Sequence, residues 1–117
     1  IFERAPTQAE GLYFVAFWHK DLPGAASQEF VERFTRAVGR EPRHGEAIYL
    51  DATMIAAAAI RDGNHSRASV AEYVGSLGAS RPPYSGVTGS IGFAPGSPRP
   101  LHMTQIVGRS TVLVRTP

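Results

Sequence analysis

Residues 45–63, GEAIYLDATMIAAAAIRDG, constrain the fold more than any other stretch of the chain. Ile48, Ala52, Ile55 and Ala59 recur at i, i+4, i+7 and i+11, one face of a 3.6-residue period. Tyr49, Ala56 and Ile60 widen that face, and the alanines at 56–59 have the highest helix propensity of any residue. Pro42 stands upstream, Arg61 suits the negative end of the helix dipole, and Gly63 provides a stop. So little polar surface remains that the expected helix must be covered on most of its sides, with the rest of the chain packed around it.

The flanking segments follow from local pattern. Residues 1–10 are polar, contain Pro6 and read as a leader. Residues 11–18, GLYFVAFW, are nearly continuous in aromatic and β-favouring character, the pattern of a strand covered on both faces as in parallel sheets. Residues 19–25 form a loop. Ser27 or a neighbour caps a helix running to about Val38, with Phe30, Phe34 and Ala37 as its apolar stripe and Gly39 then Pro42 as its end. After the central helix, residues 62–65 turn, and Ser66 caps a third helix with Val70, Val74 and Leu77 inward and Gly78 at its end.

The last third changes character. Gly86, Gly89 and Gly92 among β-formers predict a bent strand at 87–93, or a place where backbones approach closely. Residues 94–100 hold three prolines and must be loop, and residues 101–114 read as a hairpin turning at Gly108. The expected class is α/β, in the order strand, three helices, strand, hairpin. No internal repeat interrupts it.

Composition excludes several functions. A chain of 117 residues is one domain at most, and 43% hydrophobic with 19% charged residues is neither disordered nor membrane-spanning composition. Residues 55–60 fall far short of the roughly 18 apolar residues of a membrane span. The net charge of +2 is small, and basic residues are not interleaved with aromatics, so no nucleic-acid partner is expected. With no cysteine there is no disulfide or thiol chemistry. No signal peptide is visible, and Ile1 is an unusual natural start, so the expectation is a piece of something longer.

The search for chemistry finds no catalytic constellation. His19, His44, His65 and His102 lack metal-ligand spacing and read as surface or loop histidines, so neither a metal nor another cofactor is expected. There is no Gly-x-Ser-x-Gly elbow, and the glycines at 86–92 do not spell a dinucleotide or phosphate loop. Asn64-His65-Ser66 matches a glycosylation sequon, a short and often accidental pattern. Asp51, a carboxylate on a buried helix, needs partners and is expected to bond a neighbouring backbone or arginine rather than catalyse. A cleft acid at Glu46 or Asp51 would be required of an enzyme, together with a second titratable group. Ligand contacts fit better at two places. Trp18 and Phe17 close the first strand, where α/β proteins place ligands, and both also suit a core. His44, Gly45, Glu46 and Tyr49 surround the start of the central helix, whose N-terminus favours anions; Glu46 is equally a partner for the helix dipole.

Four phrases, EGLYFVAFW, EFVERFTRAVGREP, AIYLDATMIAAAAI and GVTGSIGF, in their order and spacing resemble the C-terminal third of bacterial substrate-binding proteins of the branched-chain amino-acid ABC transporter type. The carrying residues are Glu29-Phe30 with Phe34, Glu41-Pro42, Leu50-Asp51-Ala52, and Gly86-Val87-Thr88-Gly89 with Ile91 and Phe93. The resemblance covers about residues 10–114 and implies a fragment of the type I periplasmic-binding-protein fold, whose Rossmann-like parent has two lobes in three layers around a ligand cleft. It further implies that residues 19–85 supply helices of the first lobe, residues 11–18 and 86–93 the hinge strands, and residues 101–115 a hairpin of the second lobe. The family's ligand-covering aromatic falls near Gly45 here and is absent, which implies either that Tyr49 substitutes for it or that the ligand is larger than a simple aliphatic amino acid; Leu50 replaces the usual tyrosine, and residues 94–100 lack the usual acidic residues.

The implied function is an extracytoplasmic solute-binding component that closes on a small polar ligand such as an amino acid or derivative, without catalysis, and delivers it to the membrane permease of an ABC importer. The alternative is a ligand-sensing domain of a receptor with the same fold. Expected ligand residues are Trp18, His44, Gly45, Glu46 and Tyr49. Orphaned strand edges in such a fragment are expected to drive self-association.

Overall fold

A computed structural model of the chain describes residues 7–114. Its elements are β1 (Tyr13–Ala16), α1 (Ala25–Val38), α2 (His44–Arg61), α3 (Arg67–Ser76), β2 (Tyr84–Gly86), β3 (Gly89–Ile91), β4 (His102–Val107) and β5 (Ser110–Leu113). Two antiparallel sheets form: β1-β4-β5, and the hairpin β2-β3. The strand, the three helices and the terminal hairpin therefore stand where the sequence places them.

The first strand departs from expectation in its surroundings. It pairs antiparallel with β4, Val15 opposite Met103, and nothing is bonded to its other edge among the described residues. Alternation decides its burial: Phe14, Ala16 and Trp18 turn inward, while Tyr13 is 60% and Val15 52% exposed. Met103, Val112 and Val114 extend this exposed apolar face across β4 and beyond β5. The strand is thus covered on one face, not two. The leader is docked as far as it is described: the Gly11 N–H donates to Ile106 O at 2.9 Å, and the Gly108 N–H donates to the Glu10 carboxylate at 2.8 Å. Residues 1–6 and position 115 lie outside the described residues.

Helix α1 starts at Gly24, not at a serine cap. Ser27 lies within its first turn, buried, and its hydroxyl accepts the Trp18 indole N–H at 2.8 Å. Satisfying a buried indole outweighed capping at this serine. Trp18 also meets Phe30 edge-on at 5.5 Å, and Phe30 meets Phe34 at 5.7 Å, as the predicted stripe requires, although Ala37 is exposed. Gly39, left-handed at φ 79°, ends the helix, its N–H donating to Thr35 O.

The central helix is present, but the stripe it buries is Ala47, Asp51, Ile55 and Ala59. Ile48 is half-buried, Ala52 exposed, and Tyr49 is 75% exposed. The helix is therefore covered mainly on one side, and rotated from the purely apolar reading. The cause is Asp51, which is 3% exposed. Its Oδ1 accepts from the Val87 N–H at 2.7 Å, and its Oδ2 accepts from the Thr88 N–H at 2.8 Å and the Thr88 hydroxyl at 2.7 Å. A carboxylate so supplied with donors is buried at little cost, and it draws its face of the helix inward.

These bonds explain the glycine-rich segment. Residues 84–91 form a tight hairpin turning at Val87-Thr88, where a bent strand over 87–93 was expected. The close approach was foreseen: a Cβ on Gly86 would lie 2.5 Å from the Asp51 carboxyl group. A second contact of this kind joins Gly92 to Gly78, where a Cβ on Gly78 would stand 3.1 Å from the Gly92 Cα. Helix α3 begins as expected, Ser66 accepting from the Ser69 N–H at 3.1 Å. Val70 and Val74 are half-buried, and Leu77 is fully buried just past its end.

Candidate functional site

Just past the end of β1, Phe17 and Trp18 line two different clefts beside α2. Phe17 lines a smaller apolar cleft of about 270 Å³ with Ile48, Ile55, Ile91 and Phe93. Trp18 faces the larger cleft, about 620 Å³, enclosed by the inner face of β1 and β4, the β4–β5 turn and the first turns of α2. Trp18, His44, Gly45, Glu46 and Tyr49, the five residues singled out from sequence, all line this larger cleft.

Their parts differ. Trp18 is 1% exposed, with its indole N–H already bonded to Ser27, so it forms wall rather than a free hydrogen-bond donor. Glu46 is committed within the protein. One carboxylate oxygen pairs with the Arg40 guanidinium, and the other accepts the Arg43 N–H, half of a capping box at the start of α2. The Arg40 hydrogen bond, followed by that backbone N–H, holds the Glu46 carboxyl below its ordinary range. His44 and Tyr49 are exposed at the rim, and Gly45 is half-buried with open space where a Cβ would stand. Tyr49, 75% exposed, therefore offers an open aromatic face to the cleft.

Sequence reasoning missed the polar groups that brace this cleft. His19, expected at the surface, is buried because it ties the end of β1 to β5. Its Nδ1 accepts the Asp21 N–H at 3.2 Å, which leaves Nε2 to donate to Thr111 O at 3.1 Å. Lys20 Nζ lies 3.1 Å from Asp21 Oδ1 and 3.4 Å from Glu41 Oε2; the Asp21 hydrogen bond, opposed by partial burial, raises its pKa. Gln28 donates to the Lys20 and Leu22 carbonyls and so fixes this loop on α1. Arg43, at the start of α2, and Arg109, in the β4–β5 turn, also line the cleft. No carboxylate lies within ion-pair distance of either among the described residues. The cluster of Arg40 and Arg43 around Pro42 was a visible signal; the approach of His19, Lys20 and Arg109 was not, because they lie up to ninety positions apart.

The catalytic alternative loses its two candidate acids at this point. Both Asp51 oxygens are occupied by the β2–β3 turn, as the backbone-bonding reading anticipated, and both Glu46 oxygens by Arg40 and Arg43.

No family model and no curated protein matches the sequence. Solved structures do match in shape. A leucine binding protein, LivK, of Thermotoga maritima superposes with a TM-score of 0.79 at 23% identity, covering 97% of this chain and 33% of its own. An ABC transporter substrate-binding protein of Desulfitobacterium hafniense, solved in complex with Leu, superposes with a TM-score of 0.72 at 24% identity, covering 91% of this chain and 32% of its own. The chain thus spans about a third of the length of these proteins and has the fold of a segment of them, an α/β fragment of the type I periplasmic-binding-protein architecture.

Proposed function

We propose that this chain supplies one wall of the ligand cleft of an extracytoplasmic solute-binding protein that serves an ABC importer. The observation that carries the reading is convergence. Five residues chosen as ligand contacts from sequence line one cleft, in a fold segment whose structural neighbours are substrate-binding proteins. A volume of about 620 Å³ is ample for a small organic ligand. The ligand is a small polar molecule, an amino acid or derivative, held by closure of the bilobal parent about hinge segments at 11–18, which contains β1, and 86–93, which contains the turn and second strand of the β2–β3 hairpin, and passed to a membrane permease. Binding needs no bond-making step, in keeping with the internal engagement of Asp51 and Glu46. No helix among the described residues is long and apolar enough to cross a membrane.

A thermal-shift screen of the intact parent protein against amino acids, small amides and aromatic acids tests this. Ligand at one hundred times its Kd adds about 2.7 kcal/mol of stability. A selective shift of several degrees, lost in Tyr49→Ala and kept in the distant Arg61→Gln, is expected. No shift with any compound refutes solute binding by this wall.

A further inference from the structure

We infer that His19 is a proton-operated switch of the loop that follows β1: the neutral ring holds the Asp21 backbone, and the charged ring takes the Asp21 carboxylate instead. The imidazole is 5% exposed and ties that loop to β5, ninety-two positions away. Its Nδ1 accepts the Asp21 N–H at 3.2 Å, and only a neutral ring has an acceptor there. The ring proton therefore sits on Nε2, which donates to Thr111 O at 3.1 Å, with Thr111 Oγ1 at 3.3 Å. Both nitrogens find partners within this chain, so no group from another wall of the cleft is needed to complete the switch.

Histidine is the side chain whose ordinary change of charge falls between about pH 5 and 8. A proton arriving at Nδ1 turns the acceptor into a donor, and the Asp21 N–H is left facing another N–H. The alternative partner is already beside it, because Asp21 Oδ2 lies 3.6 Å from Nδ1. No other carboxylate is within ion-pair distance of the ring among the described residues. A ring nitrogen has a single in-plane direction for a partner, so the carboxylate must displace the N–H, and the backbone at Asp21 must move. Asp21 Oδ1 also accepts from Lys20 Nζ at 3.1 Å, and Lys20 lies 3.4 Å from Glu41, which leads into α2. On the α1 side the loop meets the neutral Gln28. On the β5 side Thr111 does not titrate, its bond from Nε2 survives protonation, and Arg109 is the charge in the adjoining turn. The start of α2 adds Arg43, His44 and Glu46, the last already paired with Arg40. His19 and Lys20 line the larger cleft, so the charged state gives that wall one more positive charge and a displaced loop, whatever the cleft holds.

NMR of the intact parent protein from about pH 8 to 5 tests this. The His19 ring carbons report its charge, and exchange of the Asp21 amide, corrected for the intrinsic effect of pH, reports the loop. Exchange is expected to quicken at least about tenfold as the ring gains its proton. In His19→Asn the new Oδ1 can accept the N–H two residues on and cannot titrate, so Asp21 should stay protected across the range. The first comparison uses the unmodified protein and stands whether or not the variant folds. Exchange at Asp21 that stays constant while the ring becomes charged would overturn the switch, as would a ring still neutral at the acid end. A His19→Asn protein with the parent's pH dependence would overturn it too. Solute binding stands or falls separately, by the thermal-shift screen.

Discussion

Replacing Asp51 with alanine removes the acceptor that joins the central helix to the β2–β3 turn, and the cost follows from the geometry. Three donors lose their partner: the Val87 and Thr88 N–H groups and the Thr88 hydroxyl, at 2.7–2.8 Å. Hydrogen bonds to a charged group contribute about 1.5–3 kcal/mol each. Val87 and Thr88 are half-buried, so water entering the vacated space restores part of this. A net loss of about 3 kcal/mol is expected, a fall of about 10 °C in Tm for a chain of this size. Urea denaturation measures the loss, and hydrogen exchange should show the Val87 and Thr88 amides losing protection first. Gly86→Ala provides the control, because its new Cβ would meet the Asp51 carboxyl group at 2.5 Å. Alone it should cost about 1–3 kcal/mol through overpacking; beside Asp51→Ala it should cost little, a coupling of about 2 kcal/mol. Strict additivity of the two substitutions, or an Asp51→Ala protein within 0.5 kcal/mol of the parent, would refute the role given to this carboxylate.

Three further outcomes are expected. Ser27→Ala should cost about 1–3 kcal/mol in denaturant melts, because it strands the buried Trp18 N–H, while Ser27→Thr should recover part of that. Glu46 has its folded pKa below the ordinary 4.5, so its contribution is present above that value and lost as pH falls through the folded pKa; Glu46→Gln should therefore flatten the acid limb of a pH–stability curve. The exposed face of Tyr13, Val15, Met103 and Val112, beside the unpaired edge of β1, should make the isolated chain self-associate. Light scattering should then report dimers or larger species for the parent chain and monomers for Val15→Lys/Val112→Glu; a parent chain monomeric at high concentration would refute this.

The sequence by itself determined what depends on neighbours along the chain. Helix α2 followed from its 3.6-residue period, Ser66 from capping chemistry, Gly39 from the need for a left-handed residue, and the last hairpin from alternation around Gly108. The start of α2 was legible as part of a cleft wall only in that backbone donors collect at a helix N-terminus, which is why ligand contacts are proposed there. Tertiary structure alone decided which helix face is buried. Periodicity puts Ile48, Ala52, Ile55 and Ala59 on the inward face, and although Asp51 was expected to need partners, only the donors from Val87 and Thr88, thirty-six and thirty-seven positions on, fix its side of the helix as the buried one. It also decided that Ser27 serves Trp18 and not the helix end, that His19 is buried against Thr111, and that Arg109 shares a cleft with Arg43. Each is a pairing of polar groups distant in sequence. Such pairs leave no periodic trace, because a hydrogen bond requires only that two groups meet, whatever length of chain lies between them.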